Sequence, residues 1–530
     1  MQKNKILTFA NMNPKIIIGT RGSKLALWQA HFSKKQIEQL GYEVALKIIK
    51  TKGDKTQDLG FSKMEGKGFF TKEIEEELFL GKIDLAIHSY KDLPTENPPG
   101  LIIAGNSYRA DPMDWLVINK NITDNSELLY LPKNAIVGTS SARRKAQLLA
   151  IRPDLQMKDI RGNVPTRVAK LADGFDAIVL AAAGLKRLEL DLNDYKVVEL
   201  KLQESIPAPA QGVLAYQIRE QDALLQKIVS EMNAPAVSQT VCIERSILQR
   251  LGGGCQQPIG VYCNTTKKGT YQVWASRATA WNELPKRIFV KANTPQLAIN
   301  QMLRYLKNTE QKNIFISRSL NEKSYFKRIL ENQGHKIFAK SLLKFEALSF
   351  KANLENYDWL FFSSKKAVEF FFKQENKLPK NLKIAAIGTS TANSIKKMGY
   401  LVDFVGQKND IKKVAISFCE QAINAKVLFP QASASLQTVQ QYSKAYLEEI
   451  TDLAVYENIP VSEFSIPKCD ILVFTSPLNA KNYCKKYQIE KTQKIIAIGT
   501  TTAKALQELG YYNIHLPYAA DEASLADICY

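Results

Sequence analysis

No apolar run in the 530-residue chain approaches the roughly 18 residues that a membrane-crossing helix needs, so no membrane association is expected. The opening stretch, Met1 to Asn13, is polar and lacks an apolar core with a cleavage site, so no export signal is read. The seven cysteines (242, 255, 263, 419, 469, 484 and 529) are scattered and form no CxxC pair. That pattern argues against a disulfide framework or a zinc site and points to a reducing, cytoplasmic compartment. Only four histidines are present, far apart, and no metal is expected. Long Lys/Arg tracts are also missing, although 72 Lys and Arg against 52 Asp and Glu leave a net charge of +20. Such a charge calls for an anionic partner, which could be nucleic acid, membrane or a polycarboxylate, and position must decide between them. The hydrophobic content of 45% is ordinary for a globular protein. The length exceeds one core, and about three to five domains are expected.

What is present begins with a strand–turn–helix pattern that occurs three times. Lys15 to Gly19 reads as a short buried strand; Thr20-Arg21-Gly22-Ser23 follows, then a helical pattern from Lys24 to Leu40, stopped by Gly41. Ala135 to Gly138 is a second strand, with Thr139-Ser140-Ser141 as capping hydroxyls and Arg143-Arg144 in the first helical turn. In the third, Lys158-Asp159-Ile160 leads to Arg161-Gly162-Asn163, then Pro165 at a helix start and Arg167 in its first turn. Helix N-termini carry partial positive charge, so arginines there are unfavourable unless an anion sits beside them. Free N–H groups and guanidinium forks together make a carboxylate or phosphate cradle. Solvated surface arginines are the competing reading, weakened by the threefold recurrence.

Lys63 to Gly81 places Lys67 between glycines, ahead of a helix with Ile74 and Leu78 on one face. The strand Ile83 to Ile87 then ends in His88-Ser89-Tyr90-Lys91-Asp92-Leu93-Pro94, and Pro94 prevents immediate continuation into a regular element. Asp92 thus stands at the carboxyl end of a strand among many cations. It could stabilise a cationic intermediate or shuttle a proton, or it could be a structural turn or salt-bridge residue. Further on, Leu251-Gly-Gly-Gly-Cys255 presents a thiol on a glycine turn. That suits a covalent attachment point and equally an incidental thiol.

IGTRGSKLALWQA, KMEGKGFFTKEIE, AIHSYKDLP, IVGTSSARRKAQL, DIRGNVPTRVAKL, AAAGLKRL and LGGGCQQPIG occur in this order. Over about residues 14 to 305 the chain resembles hydroxymethylbilane synthase, also called porphobilinogen deaminase. The resemblance implies an α/β multidomain fold with two lobes like periplasmic binding proteins, at 14–110 with a return at 210–230, and at 111–205. A small α+β domain at 237–305 would anchor the cofactor, a dipyrromethane joined to Cys255 by a thioether. Ser23, Lys91, Ser141, Arg143 and Arg144 would hold that cofactor. Arg21, Arg161 and Arg167 would face the incoming pyrrole, with Lys67 on a loop near the growing chain. Asp92 matches the catalytic aspartate, which assists ammonia loss, stabilises the azafulvene cation and helps remove the proton after coupling. One departure is Ala210, where many members have glycine before Gln211-Gly212.

After the polar segment Lys307 to Asn313, an internal repeat appears. Ile384-Ala-Ala-Ile-Gly-Thr-Ser-Thr-Ala matches Ile495-Ile-Ala-Ile-Gly-Thr-Thr-Thr-Ala, and Leu360-Phe-Phe-Ser-Ser matches Leu472-Val-Phe-Thr-Ser. Two similar α/β lobes are expected. With FFSSKKAVEFFF, VYENIP and VFTSPLNA, residues 312 to 530 resemble uroporphyrinogen-III synthase, which closes the bilane with inversion of ring D and loss of water. Tyr456 matches the tyrosine usually proposed to assist loss of the hydroxyl, and Thr391, Ser476, Thr501 and Thr502 match hydroxyls lining the cleft. A core tyrosine and helix-capping threonines are the alternative.

The expected protein is a bifunctional tetrapyrrole enzyme acting on porphobilinogen and hydroxymethylbilane as a monomer. A fallback keeps the first activity and makes the second half a degenerate scaffold. A non-catalytic two-lobed anion-binding protein would need neither Cys255 nor Asp92. Nucleic-acid binding would call for a basic stripe with stacking aromatics, whereas these arginines stand at helix starts.

Overall fold

The computed structural model describes residues 14–51, 71–125, 127–253, 257–375, 377–406 and 411–530. Cys255 and Lys67 lie outside the described residues. Two compact units emerge. The first joins the chain up to Asn313 with Asn321–Ile337 and Pro517–Tyr530, and the second comprises Ile314–Leu320 and Phe338–Leu516. This division differs from a single boundary at 312, because two stretches beyond it group with the earlier residues.

The first unit contains three sheets. One runs Val44–Ile48, Ile16–Thr20, Leu85–Ser89, Leu214–Arg219, Leu101–Asn106. Ile16–Thr20 is parallel to both of its neighbours, while Leu214–Arg219 returns antiparallel, pairing Leu214 with Ser89. The second sheet runs Gln156–Lys158, Ile136–Gly138, Ala177–Ala181, Asp114–Asn119, Tyr195–Glu199. Its buried run Ala177-Ile-Val-Leu180 is apolar throughout, as a strand covered on both faces must be. The third sheet is antiparallel, Ile259–Thr265, Tyr271–Arg277 and Lys286–Ala292. Its residues alternate by the strand period of two. Val261, Val273, Ile288 and Val290 pack with Ile243, Ile247 and Met302 of the helices Pro235–Arg250 and Pro295–Lys307, while Tyr262, Trp274 and Phe289 face the other way.

Local sequence explains where the helices at the strand ends begin. Ser23 caps Lys24–Gln39 by accepting from the Ala26 N–H, and Gly41, at φ 89°, ends it. Ser141 caps Ala142–Ile151, and Asn163 caps Val164–Ala169 with Pro165 in the first turn. Each cap satisfies a donor that the helix cannot.

The second unit repeats one plan. The buried strands Trp359–Phe362 and Ile471–Phe474 are followed by helices Lys365–Phe372 and Pro477–Lys486, capped by Ser364 and Ser476. The strands Lys383–Ala386 and Lys494–Ala497 lead through Gly388 and Gly499 into helices Thr389–Lys397 and Thr500–Glu508. The long strand Glu449–Pro460 pairs parallel with Lys426–Ala432 and antiparallel with Leu343–Ala347. Among the described residues no helix is long and apolar enough to cross a membrane, and no cluster of His, Cys, Asp and Glu could hold a metal ion.

Candidate active site

A cavity of about 540 Å³, open to solvent, is lined from the first sheet's side by Gln29, Ser89, Lys91 and Gln211 and from the second's by Arg144, Arg167 and Arg187. Lys91 follows the strand Leu85–Ser89 in a short 3₁₀ turn, Tyr90–Asp92, that leaves Asp92 exposed. The Lys91 ammonium reaches Gln211 Oε1 at 3.4 Å. Burial lowers its pKa to about 8, opposed by the neighbouring Asp92 carboxylate and reinforced by Arg144. Burial likewise lowers Arg167 to about 10, with Arg144 adding repulsion, while its Nε donates to the Gly162 carbonyl at 2.8 Å. Four cations therefore share one small cavity.

The adjacent arginines are arranged differently from the expected open cradle. Arg143 and Arg144 are both buried, and both turn toward Asp114, which is fully buried. Arg143 Nη1 and Arg144 Nη2 each lie 2.7 Å from that carboxylate. Arg143 also donates to the Ile206 carbonyl at 2.9 Å, and Arg144 to the Val179 carbonyl at 2.9 Å. Burial alone would raise the Asp114 pKa, yet the two guanidiniums hold it far below the usual carboxylate range. The anion demanded by arginines at this helix start is thus supplied by the protein. Arg144 still lines the cavity; Arg143 does not appear among its walls. Ser23 and Ser141 are engaged as helix caps, and Arg21 and Arg161 are half-buried.

Sequence reasoning missed Asp114, Arg187 and Arg245. Arg187 lies in AAAGLKRL, donates to the Gly212 carbonyl at 2.9 Å and lies over the Trp28 ring. Arg245, on the helix Pro235–Arg250, donates to the carbonyls of Tyr90, Leu93 and Pro94, which bracket Asp92. Two adjacent arginines entering a buried helix were the available signal for a nearby acid such as Asp114.

In the second unit Tyr456 is buried, its ring stacked on Phe370 at 5.2 Å and its hydroxyl 3.5 Å from Ser364 Oγ. Thr391 and its repeat counterpart Thr502 are buried in first helical turns, whereas Thr501 is exposed. Ser476 accepts from the Asn479 N–H at 3.2 Å. Ser364, the repeat counterpart of Ser476, was visible in the duplicated motif and was not singled out.

The family description "Porphobilinogen deaminase, dipyromethane cofactor binding domain" matches residues 16–227, and that of the deaminase C-terminal domain matches 238–275. A porphobilinogen deaminase from Nitratiruptor sp. is 47% identical over 248 residues, covering 47% of this chain and 78% of its own. One from Geobacillus kaustophilus is 46% identical over 266 residues, covering 49% of this chain and 83% of its own. The chain belongs to the porphobilinogen deaminase family. A second family, uroporphyrinogen-III synthase HemD, matches residues 324–527. A crystal structure of uroporphyrinogen-III synthetase from Helicobacter pylori shares 20% identity, covering 40% of this chain and 96% of that one at a TM-score of 0.32. Porphobilinogen deaminase and synthase domains in one chain make this a bifunctional enzyme of heme biosynthesis, with the deaminase's cofactor-binding domain at its front.

Proposed function

We propose that the first enzyme condenses four porphobilinogen molecules into hydroxymethylbilane with release of ammonia. The second closes that product to uroporphyrinogen III with inversion of ring D and loss of water. The supporting observation is the cationic cavity beside an exposed strand-end carboxylate. Lys91, Arg144, Arg167 and Arg187 suit the acetate and propionate groups of a pyrrole, and four cations exceed what one monopyrrole needs. That donor set fits a dipyrromethane cofactor, which when bound supplies a fixed nucleophilic pyrrole end. Ser23, Lys91, Ser141 and Arg144 would hold it, with Arg143 acting from behind through Asp114. Arg21, Arg161 and Arg167 would orient the incoming porphobilinogen.

The C–N bond of porphobilinogen breaks from its ammonium form to release ammonia, and a carboxylate oxygen of Asp92 offsets the positive charge left on that substrate. The same oxygen accepts the proton released when the new carbon–carbon bond has formed. Arg245 holds the turn that carries it. Cys255 anchors the cofactor through a thioether, and Lys67 serves the growing chain. We assign deaminase domains to 14–110 with 210–230, 111–205 and 237–305, and the synthase to 312–530. In the synthase Tyr456 assists departure of the bilane hydroxyl, with Ser364 as its neighbour, and Thr391, Ser476, Thr501 and Thr502 shape the cleft.

Intact mass with and without Cys255→Ser, followed by assay with porphobilinogen, tests the reading. The wild type should carry an added dipyrromethane that the variant lacks, and should yield uroporphyrinogen III. An unmodified, inactive wild type after reconstitution would remove the deaminase reading. Formation of uroporphyrinogen I alone would remove the synthase reading.

A further inference from the structure

The uroporphyrinogen-III synthase match spans 324–527, yet Asn321–Ile337 and Pro517–Tyr530 belong to the compact unit of the deaminase. What Pro517–Tyr530 does there follows from the third sheet. Its two helices cover one face only, and the other face presents Trp274, Phe289 and Arg287. Lys286–Ala292 is also the sheet's edge strand, with outward N–H and C=O groups. The closing segment satisfies both needs. The Phe289 N–H donates to the Asp527 carbonyl at 2.8 Å, and the Tyr530 hydroxyl donates to the Phe289 carbonyl at 3.1 Å. Tyr518 meets Trp274 and Phe289 edge-on, with centroids 5.4 and 4.9 Å apart, and Tyr530 stacks on Tyr305 at 3.8 Å.

The strongest tie is ionic. Arg287 and Asp527 have side chains 1% and 0% exposed and pair through two contacts of 3.0 Å. Arg287 also donates to the Leu202 carbonyl at 2.7 Å, in the segment leaving the second sheet. The helix Tyr325–Asn332 is bound to the same segment, since Glu522 accepts from the Ser324 hydroxyl at 2.8 Å and from the Phe326 N–H at 3.1 Å. From that helix Arg328 donates to the Ala150 carbonyl, on the helix Ala142–Ile151. The closing segment and this helix therefore touch both the second and the third deaminase sheets' surroundings. The match to the deaminase C-terminal domain ends at residue 275, before the strand that carries Arg287 and Phe289.

We propose that Pro517–Tyr530 is a working part of the deaminase, completing its third sheet and bracing that domain against the second. Deaminase turnover would then depend on residues that the sequence match gives to the other enzyme. This dependence is separate from which side chains perform the chemistry.

The test uses the full chain, a chain ending at Leu516, Asp527→Asn, and the Arg287→Met/Asp527→Leu pair. Breaking one partner of a buried ion pair strands the other charge, whereas replacing both with apolar side chains does not. Asp527→Asn should speed amide exchange at Phe289 about a hundredfold, from the usual cost of breaking such a pair. It should also lower deaminase turnover, and the double variant should restore both. The chain ending at Leu516 should lose deaminase activity and regain it on addition of a peptide of residues 517–530. Unchanged Phe289 exchange and deaminase turnover in Asp527→Asn would overturn the proposal. So would a chain ending at Leu516 with full deaminase activity.

Discussion

Asp114 carries two guanidinium groups on one carboxylate and sets their direction, with Ser205 and Gln211 donating to the same oxygens at 2.9 and 3.0 Å. Asp114→Asn should therefore strand buried positive charge and cost about 3–5 kcal/mol of stability, measured by urea denaturation. Asp114 belongs to no recognisable motif, and its partners follow it by 29 and 30 positions. The arginines were legible at a helix start; their partner on another strand was not, because sequence spacing carries no record of which strands neighbour one another. Lys91 gives a pH prediction. Its folded pKa of about 8 lies below the ordinary 10.5, so between those values the native state has lost a proton that the unfolded chain keeps. Stability from this site thus rises with pH over that window, while its ammonium, and with it the hold on carboxylates, disappears. Non-covalent binding of dipyrromethane to the Cys255→Ser chain should weaken as pH climbs through about 8, and adding Lys91→Arg should flatten that loss. A profile identical in the two proteins would remove Lys91 from the binding site.

Among elements, the segment Ile206 to Val213 connects the first two sheets and is almost wholly buried. Within it Ala210 adopts φ 61°, a left-handed conformation that crowds its methyl group, and its N–H donates to Glu244 at 2.7 Å. Glu244 in turn holds Arg109 in a two-pronged pair at 2.8 and 2.9 Å. The departure from glycine noted in the sequence is therefore a strained position. Ala210→Gly should stabilise the chain by up to about 1 kcal/mol, seen as a higher denaturation midpoint. Elements were the most legible level. Caps at Ser23, Ser141 and Asn163, the Gly41 stop and the repeated Gly-Thr helix starts all follow from short-range chemistry that a few consecutive residues contain. The Tyr456 site was less so, since a tyrosine in an apolar strand reads the same whether its hydroxyl works or merely packs.

At the scale of the molecule, the chain passes between its two units at four places, after Asn313, Leu320, Ile337 and Leu516. A linear reading finds one linker and draws one boundary; it cannot show a chain that returns. The exposed-looking pattern of Lys286–Ala292, with Arg287 and Lys291 among apolar residues, suits an ordinary edge strand until Asp527 is placed against it. Asp527 is 240 residues away in sequence, and contacts of that span are slow to form because the intervening chain must first be brought to order.

The edge at Phe289 also has a history in time. A ribosome makes Lys286–Ala292 long before it makes Asp527, so the third sheet spends the synthesis of the whole second unit without its cover. The deaminase matures only once the synthase behind it has been translated, and a prematurely terminated message yields neither enzyme in finished form.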